Sequence, residues 1–328
     1  MTATAHETVV VRSESDFAAT IPTIVGFQPV DSLVTVFICD GRVIVTARTD
    51  FPDNWQDCAV FLSETAQRVG ADEVLIALFS DRGHGDLPLT SEIDSLVHQL
   101  RDVDVPVTQA LLIDGGRYWS YLCLDESCCN EVGTPFEIAQ SFDGLAASRT
   151  RQNISDQFAL RPDHRPSQRA YKVAQGLLKA PTAQQAEHAW HVIQELTALR
   201  VSGTSETCPD TLVAFLHLAM ADVRVRDFVL GNVAVATNPS AMVTTLVNVA
   251  LSAPDESRER LCGAAAVLLA AFESSTIPAS TMCDHAGEDS LAGLVRKGIS
   301  AALPPTEMRS VLQMALPEVL EQLSKEDS

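Results

Sequence analysis

The sequence is poor in basic residues, with 23 lysines and arginines against 43 aspartates and glutamates, and its first 150 residues contain no lysine. With eight arginines and 23 acidic residues, that part carries −15 of the formal net charge of −20. Phosphate backbones are gripped by a basic face, so direct nucleic-acid binding is not expected. Long apolar runs are missing as well. The longest, Leu261 to Phe272, falls short of the roughly 20 residues that span a bilayer and reads as a buried helix. Met1 to Val11 has neither the basic nor the apolar segment of a secretory leader. The expectation is therefore a cytoplasmic chain with no membrane association. Catalytic signatures are absent: there is no Gly-x-Ser-x-Gly elbow, no His-Glu-x-x-His, no Gly-x-Gly-x-x-Gly and no Walker lysine.

What is present is a change of period along the chain. The first half alternates β-branched runs with amphipathic ones: Leu33 to Cys39 and Arg42 to Arg48 flank Asp40-Gly41, a pair suited to a tight hairpin turn. Trp55 to Val69 has helical spacing and stops at Gly70, Glu73 to Phe79 is a buried strand, and Thr90 to Leu100 and Val107 to Ile113 repeat that helix and strand. Ser15 to Ile21 predicts a helix ending before Pro22, and Arg117 to Leu124 a strand folded back at Asp114-Gly115-Gly116. Uninterrupted apolar strands covered by crossover helices imply a mixed or parallel sheet. From about residue 150 the pattern is all-helical, with helices expected over 184–199, 212–230, 239–251, 254–272, 290–303 and 306–323. Thr182 and Gln185 have the spacing of a capping box. The fold class is thus α+β or α/β: an N-terminal mixed sheet flanked by helices, then a helical bundle, short-solenoid in style. The expected domains are 1–148 and 181–328, joined by a basic docking segment, 149–180, with Arg149, Arg151, Arg161, Arg165, Arg169 and Lys172.

Tyrosine and tryptophan occur only three times each, yet Tyr118, Trp119 and Tyr121 fall within four residues and run into Cys123, Cys128 and Cys129. Rings with polar tips are commonly put to local use. Strand alternation places Trp119, Tyr121 and Cys123 on one face. The three cysteines admit three readings: ordinary thiols, a metal site with zinc completed by Asp125, His84 or His164, or a reversible disulfide from Cys123 to Cys128 or Cys129. The remaining cysteines, Cys39, Cys58, Cys208, Cys262 and Cys283, read as small core hydrophobes. His188 and His191, three apart on a helix, read as solvent-facing. A second chemically dense stretch, Ser80 to Asp86 with Arg82 and His84, follows a buried strand directly, where open α/β sheets bind ligands.

Four motifs carry a resemblance. Gly26-Phe27-Gln28-Pro29-Val30-Asp31-Ser32-Leu33-Val34, Ala47-Arg48-Thr49-Asp50-Phe51-Pro52, Tyr118 through Pro135 and Val225 to Leu230 together resemble an actinobacterial and actinophage family catalogued as a domain of unknown function. One departure is Asn130, where the family often has Pro after the cysteine pair. The resemblance implies a fold spanning most of the chain and supplies no activity. Two functional readings follow from the residues. The first is a non-catalytic interaction or regulatory protein with a protein partner and no firmly implied cofactor. The alternative is a small-ligand binder or enzyme with its site near Asp81 to Asp86 and Tyr118 to Cys129, where Arg82, His84, Trp119 and Tyr121 would bind ligand.

Overall fold

The computed structural model describes residues 11, 13–81, 87–123, 133–137, 150–203, 209–273 and 275–326. The chain divides into two compact units, 1–151 and 152–328.

The first unit is a six-stranded mixed sheet with helices on its faces. Its elements are α1 (Glu14–Val25), β1 (Ser32–Cys39), β2 (Arg42–Asp50), α2 (Trp55–Val69), β3 (Glu73–Phe79), α3 (Thr90–Arg101), β4 (Val107–Asp114), β5 (Arg117–Ser120) and β6 (Thr134–Pro135). Among the described residues the spatial order is β2-β1-β3-β4-β5-β6, with only β3 and β4 parallel, joined through α3. The hairpin turn is as expected: Asp40 and Gly41 both take positive φ, 50° and 69°, and Cys39 pairs with Arg42. Farther along, the register slips between Phe37 opposite Val45 and Ile38 opposite Val43, so Ile44 is an extra residue in β2. Gly70 ends α2 in the left-handed region at φ 67°, as read from the sequence.

The core face of the sheet, with Leu33, Phe37, Ile76, Leu78, Leu112 and Trp119, meets Leu62 and Ala66 of α2 and Ile93, Leu96 and Leu100 of α3. Helix α1 lies beside β2 and β4. Lateral pairing sets Asp50, Ser32, Phe79, Ile113, Tyr118 and Thr134 in a single row at one end of the six strands. The motifs around Ser32, Asp50 and Thr134, distant in sequence, therefore share one rim.

Two elements differ from the sequence expectation. Helix α1 does not stop before Pro22; it runs through it to Val25, capped by the Ser13 hydroxyl and closed at Gly26, whose amide donates to Pro22 O at 2.9 Å. Phe17, Ala18, Ile21 and Val25 form a fully buried stripe, and that burial offsets the roughly 3 kcal/mol an interior proline costs. Strand β5 ends at Ser120 rather than Leu124. The Tyr121 amide still donates to Ala110 O, but the Leu122 amide turns to the Ser120 hydroxyl at 3.3 Å, which takes the backbone out of the ladder.

The second unit is helical: α4 (Arg151–Gln157, its first residue closing the first unit), a 3-10 turn (Pro162–His164), α5 (Gln168–Leu177), α6 (Thr182–Val201), α7 (Asp210–Ala219), α8 (Val223–Val235), α9 (Pro239–Leu251), α10 (Asp255–Phe272), α11 (Ile277–Ala286), α12 (Ser290–Ser300) and α13 (Pro305–Glu326). From Leu261 onward helix α10 is apolar nearly all round, and it packs against α9, α11, α12 and α13, which makes it the centre of the bundle. Residues of the expected docking segment supply α5, whose Ala170 and Ala174 are buried in this core.

The sequence reading missed α4, α5 and α11 and merged α7 with α8. The break between α7 and α8 is made by Asp222, whose carboxylate accepts from the Arg224 amide and caps α8. The Thr182–Gln185 box does not form: the Gln185 amide group donates instead to Leu178 O and Ala180 O, at 2.9 and 2.7 Å. Among the described residues no helix is long and apolar enough to cross a membrane.

Candidate functional site

The residues singled out in the first unit are spread over different tasks. Trp119 is buried in the core beneath Gly133, where even one added carbon would fall on the indole ring. Tyr121 also packs on that core, and its hydroxyl donates to Pro88 O at 2.7 Å. Burial, with Glu92 adding to it, pushes the phenol well above its usual range. Tyr121 therefore braces the start of α3, while Trp119 fills the core. Cys123 is half-buried beside them, while Arg82, His84, Cys128 and Cys129 lie outside the described residues. Cys262 and Cys283 are buried thiols, pushed up to about 12 and about 11 by burial, as core positions require.

Two further placements were not anticipated. Cys39, Asp40 and Asp72 bring their ligand atoms within 4.8 Å of one another, where the Asp72 carboxylate accepts from the Asp40 amide and closes the hairpin end. Cys58 lines a cavity of about 330 Å³ between α2 and the β1–β2 hairpin, together with Leu33, Thr35, Ala47 and Phe61. Burial raises its thiol.

The larger feature is a cleft of about 400 Å³ in the helical unit. One wall is the segment around the 3-10 turn, which presents Arg161, Asp163, His164 and Arg165; the others come from Arg200 at the end of α6, Asp210 at the start of α7, and Thr245, Asn248 and Val249 of α9. The segment is fixed by backbone and side-chain bonds. The Arg161 amide donates to Leu251 O at 2.8 Å, and its guanidinium donates to Asn248 Oδ1 at 2.7 Å and Gln157 O at 3.2 Å. Arg165 pairs with the exposed Asp255 at 3.1 Å, and the Ser167 amide donates to Asp210 at 3.1 Å. Arg161 is thus held by uncharged acceptors. Neither it nor Arg200 has a carboxylate partner among the described residues.

Behind this wall lies His217, fully buried. Its Nε2 is 2.8 Å from Val249 O, which can only accept, so Nε2 carries the proton and Nδ1 accepts from the Tyr171 hydroxyl at 2.6 Å. Burial pushes His217 down to about 4, with Arg165 lowering it further against the bond to Val249. Tyr171 is pushed up to about 12, chiefly by burial. The pair is a neutral brace that ties α5, α7 and α9 together under the cleft.

The sequence model of the family described as Domain of unknown function (DUF4192) matches residues 15–306. The chain belongs to this family. No curated protein and no solved structure matches. The DUF4192 span takes in both cavities and every strand of the sheet. Of the cleft's residues, Arg161 and Arg165 stood out in the sequence as part of a basic zone, and His164 as a candidate to complete a zinc site. Arg200, Asp210 and Asn248 did not, since no local spacing links them to it.

Proposed function

We propose that the protein is a cytoplasmic, non-catalytic binding or regulatory protein whose helical unit takes up a small anionic ligand in the arginine cleft. The carrying observation is that Arg161 and Arg200 open on a cavity of about 400 Å³ without a carboxylate partner among the described residues. In a chain with 43 acidic residues, a guanidinium held by neutral acceptors, as Arg161 is, stays available to an outside anion. The acidic first unit suits a protein partner rather than nucleic acid. The buried thiols Cys262 and Cys283 suit a reducing compartment, and the actinobacterial or actinophage setting implied by the motifs belongs to the same reading. The rival site near Asp81 to Asp86 and Tyr118 to Cys129 is less favoured, because Trp119 and Tyr121 are committed to packing.

The test is a thermal-shift titration of the full chain with inorganic phosphate at low ionic strength. A saturable rise in melting temperature is expected, weakened at least tenfold in Arg161→Gln/Arg200→Gln. The same rise in both proteins would overturn the proposal.

A further inference from the structure

Donors and acceptors around the cleft narrow the chemistry of its ligand, on the reading that it is an anion site. We propose that it takes a phosphomonoester carried on a small polyhydroxylated body, that is, a sugar phosphate. Arg161 precedes one short turn while Arg200 lies at the end of α6, so an anion seated between them meets a guanidinium from each of two walls, with Arg165 already paired to Asp255. Each guanidinium offers five N–H donors, and Arg161 commits only two of its groups, to Asn248 and Gln157 O. Those bonds hold the fork in place before any ligand arrives. A phosphomonoester brings three acceptor oxygens and a charge of about −1.5 to −2 at neutral pH, which suits such a set of donors.

The same cleft also presents two carboxylates, Asp163 and Asp210. An ionised carboxylate only accepts, and it repels a second anionic group. Asp210 accepts from the Ser167 amide with one oxygen, which leaves its other oxygen able to receive a ligand hydroxyl. The pattern therefore asks for one anionic end and a body rich in O–H donors, a polarity that free phosphate and extended polyanions both lack. Size agrees. A volume of about 400 Å³ falls in the roughly 300–1,000 Å³ of small-molecule sites and would leave a lone oxyanion mostly surrounded by water.

The experiment is calorimetric titration of the full chain with ribose 5-phosphate, inorganic phosphate, ribose and adenosine monophosphate. Ribose 5-phosphate is expected to bind at least tenfold more tightly than inorganic phosphate, with ribose alone silent. Arg200→Gln should weaken both phosphate probes by a similar factor. Asp163→Asn, with its helical circular dichroism unchanged, should bring the preference for ribose 5-phosphate over phosphate below about threefold while phosphate binding holds or improves. Inorganic phosphate binding as tightly as ribose 5-phosphate, or adenosine monophosphate binding more tightly than it, would overturn the sugar-phosphate assignment and leave the anion site standing. Silence from all phosphate probes would overturn both.

Discussion

His217 is buried, neutral and held at both ring nitrogens, so the helical unit should lose stability as it is acidified, within a defined window. An ordinary histidine titrates near 6.5, and burial brings this one down to about 4. Between those values the unfolded chain binds a proton that the folded unit does not, so falling pH favours unfolding. The contribution is complete above pH 6.5 and gone below about pH 4. At about 1.4 kcal/mol per pH unit, it amounts to roughly 3 kcal/mol, a large part of the 5–15 kcal/mol that holds a typical domain together. The assay is urea unfolding of the full chain followed by helical circular dichroism at several pH values, for the wild type and for His217→Gln. Glutamine can still donate to Val249 O and accept from Tyr171 but does not titrate. Its absolute stability is beside the point. The wild-type advantage over the variant should shrink by about 3 kcal/mol between pH 7 and pH 4, since other titrating groups are common to both. Parallel curves across that range would refute the burial argument.

Three other outcomes are expected. Tyr171→Phe removes the hydroxyl donor to His217 Nδ1 and should cost about 1–3 kcal/mol at pH 7 in the same urea melts; an unchanged midpoint would mean that nitrogen is satisfied otherwise. Gly133→Ala strains a φ of 69° and pushes a carbon into Trp119, for a loss of about 2–5 kcal/mol, whereas Gly41→Ala, at the same φ with open space around it, should lose only about 1–2 kcal/mol, and equal losses would count against the Trp119 contact. The Ser32 hydroxyl is buried with no hydrogen-bond partner among the described residues, so Ser32→Ala should be neutral or stabilising by up to about 2 kcal/mol, and a clear fall in thermal midpoint would show that the hydroxyl is in use.

Elements governed by neighbouring residues were legible in the sequence. The Asp40-Gly41 turn and the span of α2 from Trp55 to Gly70 depend on positive φ and on helical spacing, both written within a few positions. What escaped depends on tertiary burial or on partners outside the local spacing. Pro22 is tolerated in α1 because the stripe beside it is buried, and Gln185 caps carbonyls behind it in place of the expected box. The split at Asp222 was a local signal, overridden in the reading by the apolar residues on either side. The cleft is the extreme case. Arg161 meets Asn248 across 87 positions and Arg165 meets Asp255 across 90, and no periodicity connects such pairs.

The two outermost described strands also bear on how the chain behaves when crowded. An open sheet rim presents unpaired amides and carbonyls that another chain can copy, which is how many aggregates begin. On the β2 side the inserted Ile44 bends the strand and interrupts the even spacing a newcomer would need. On the other side β6 is two residues long and ends in Pro135, which has no amide hydrogen to offer. One extra residue at one rim and one missing hydrogen at the other therefore discourage intermolecular strand addition, without calling on any surface charge.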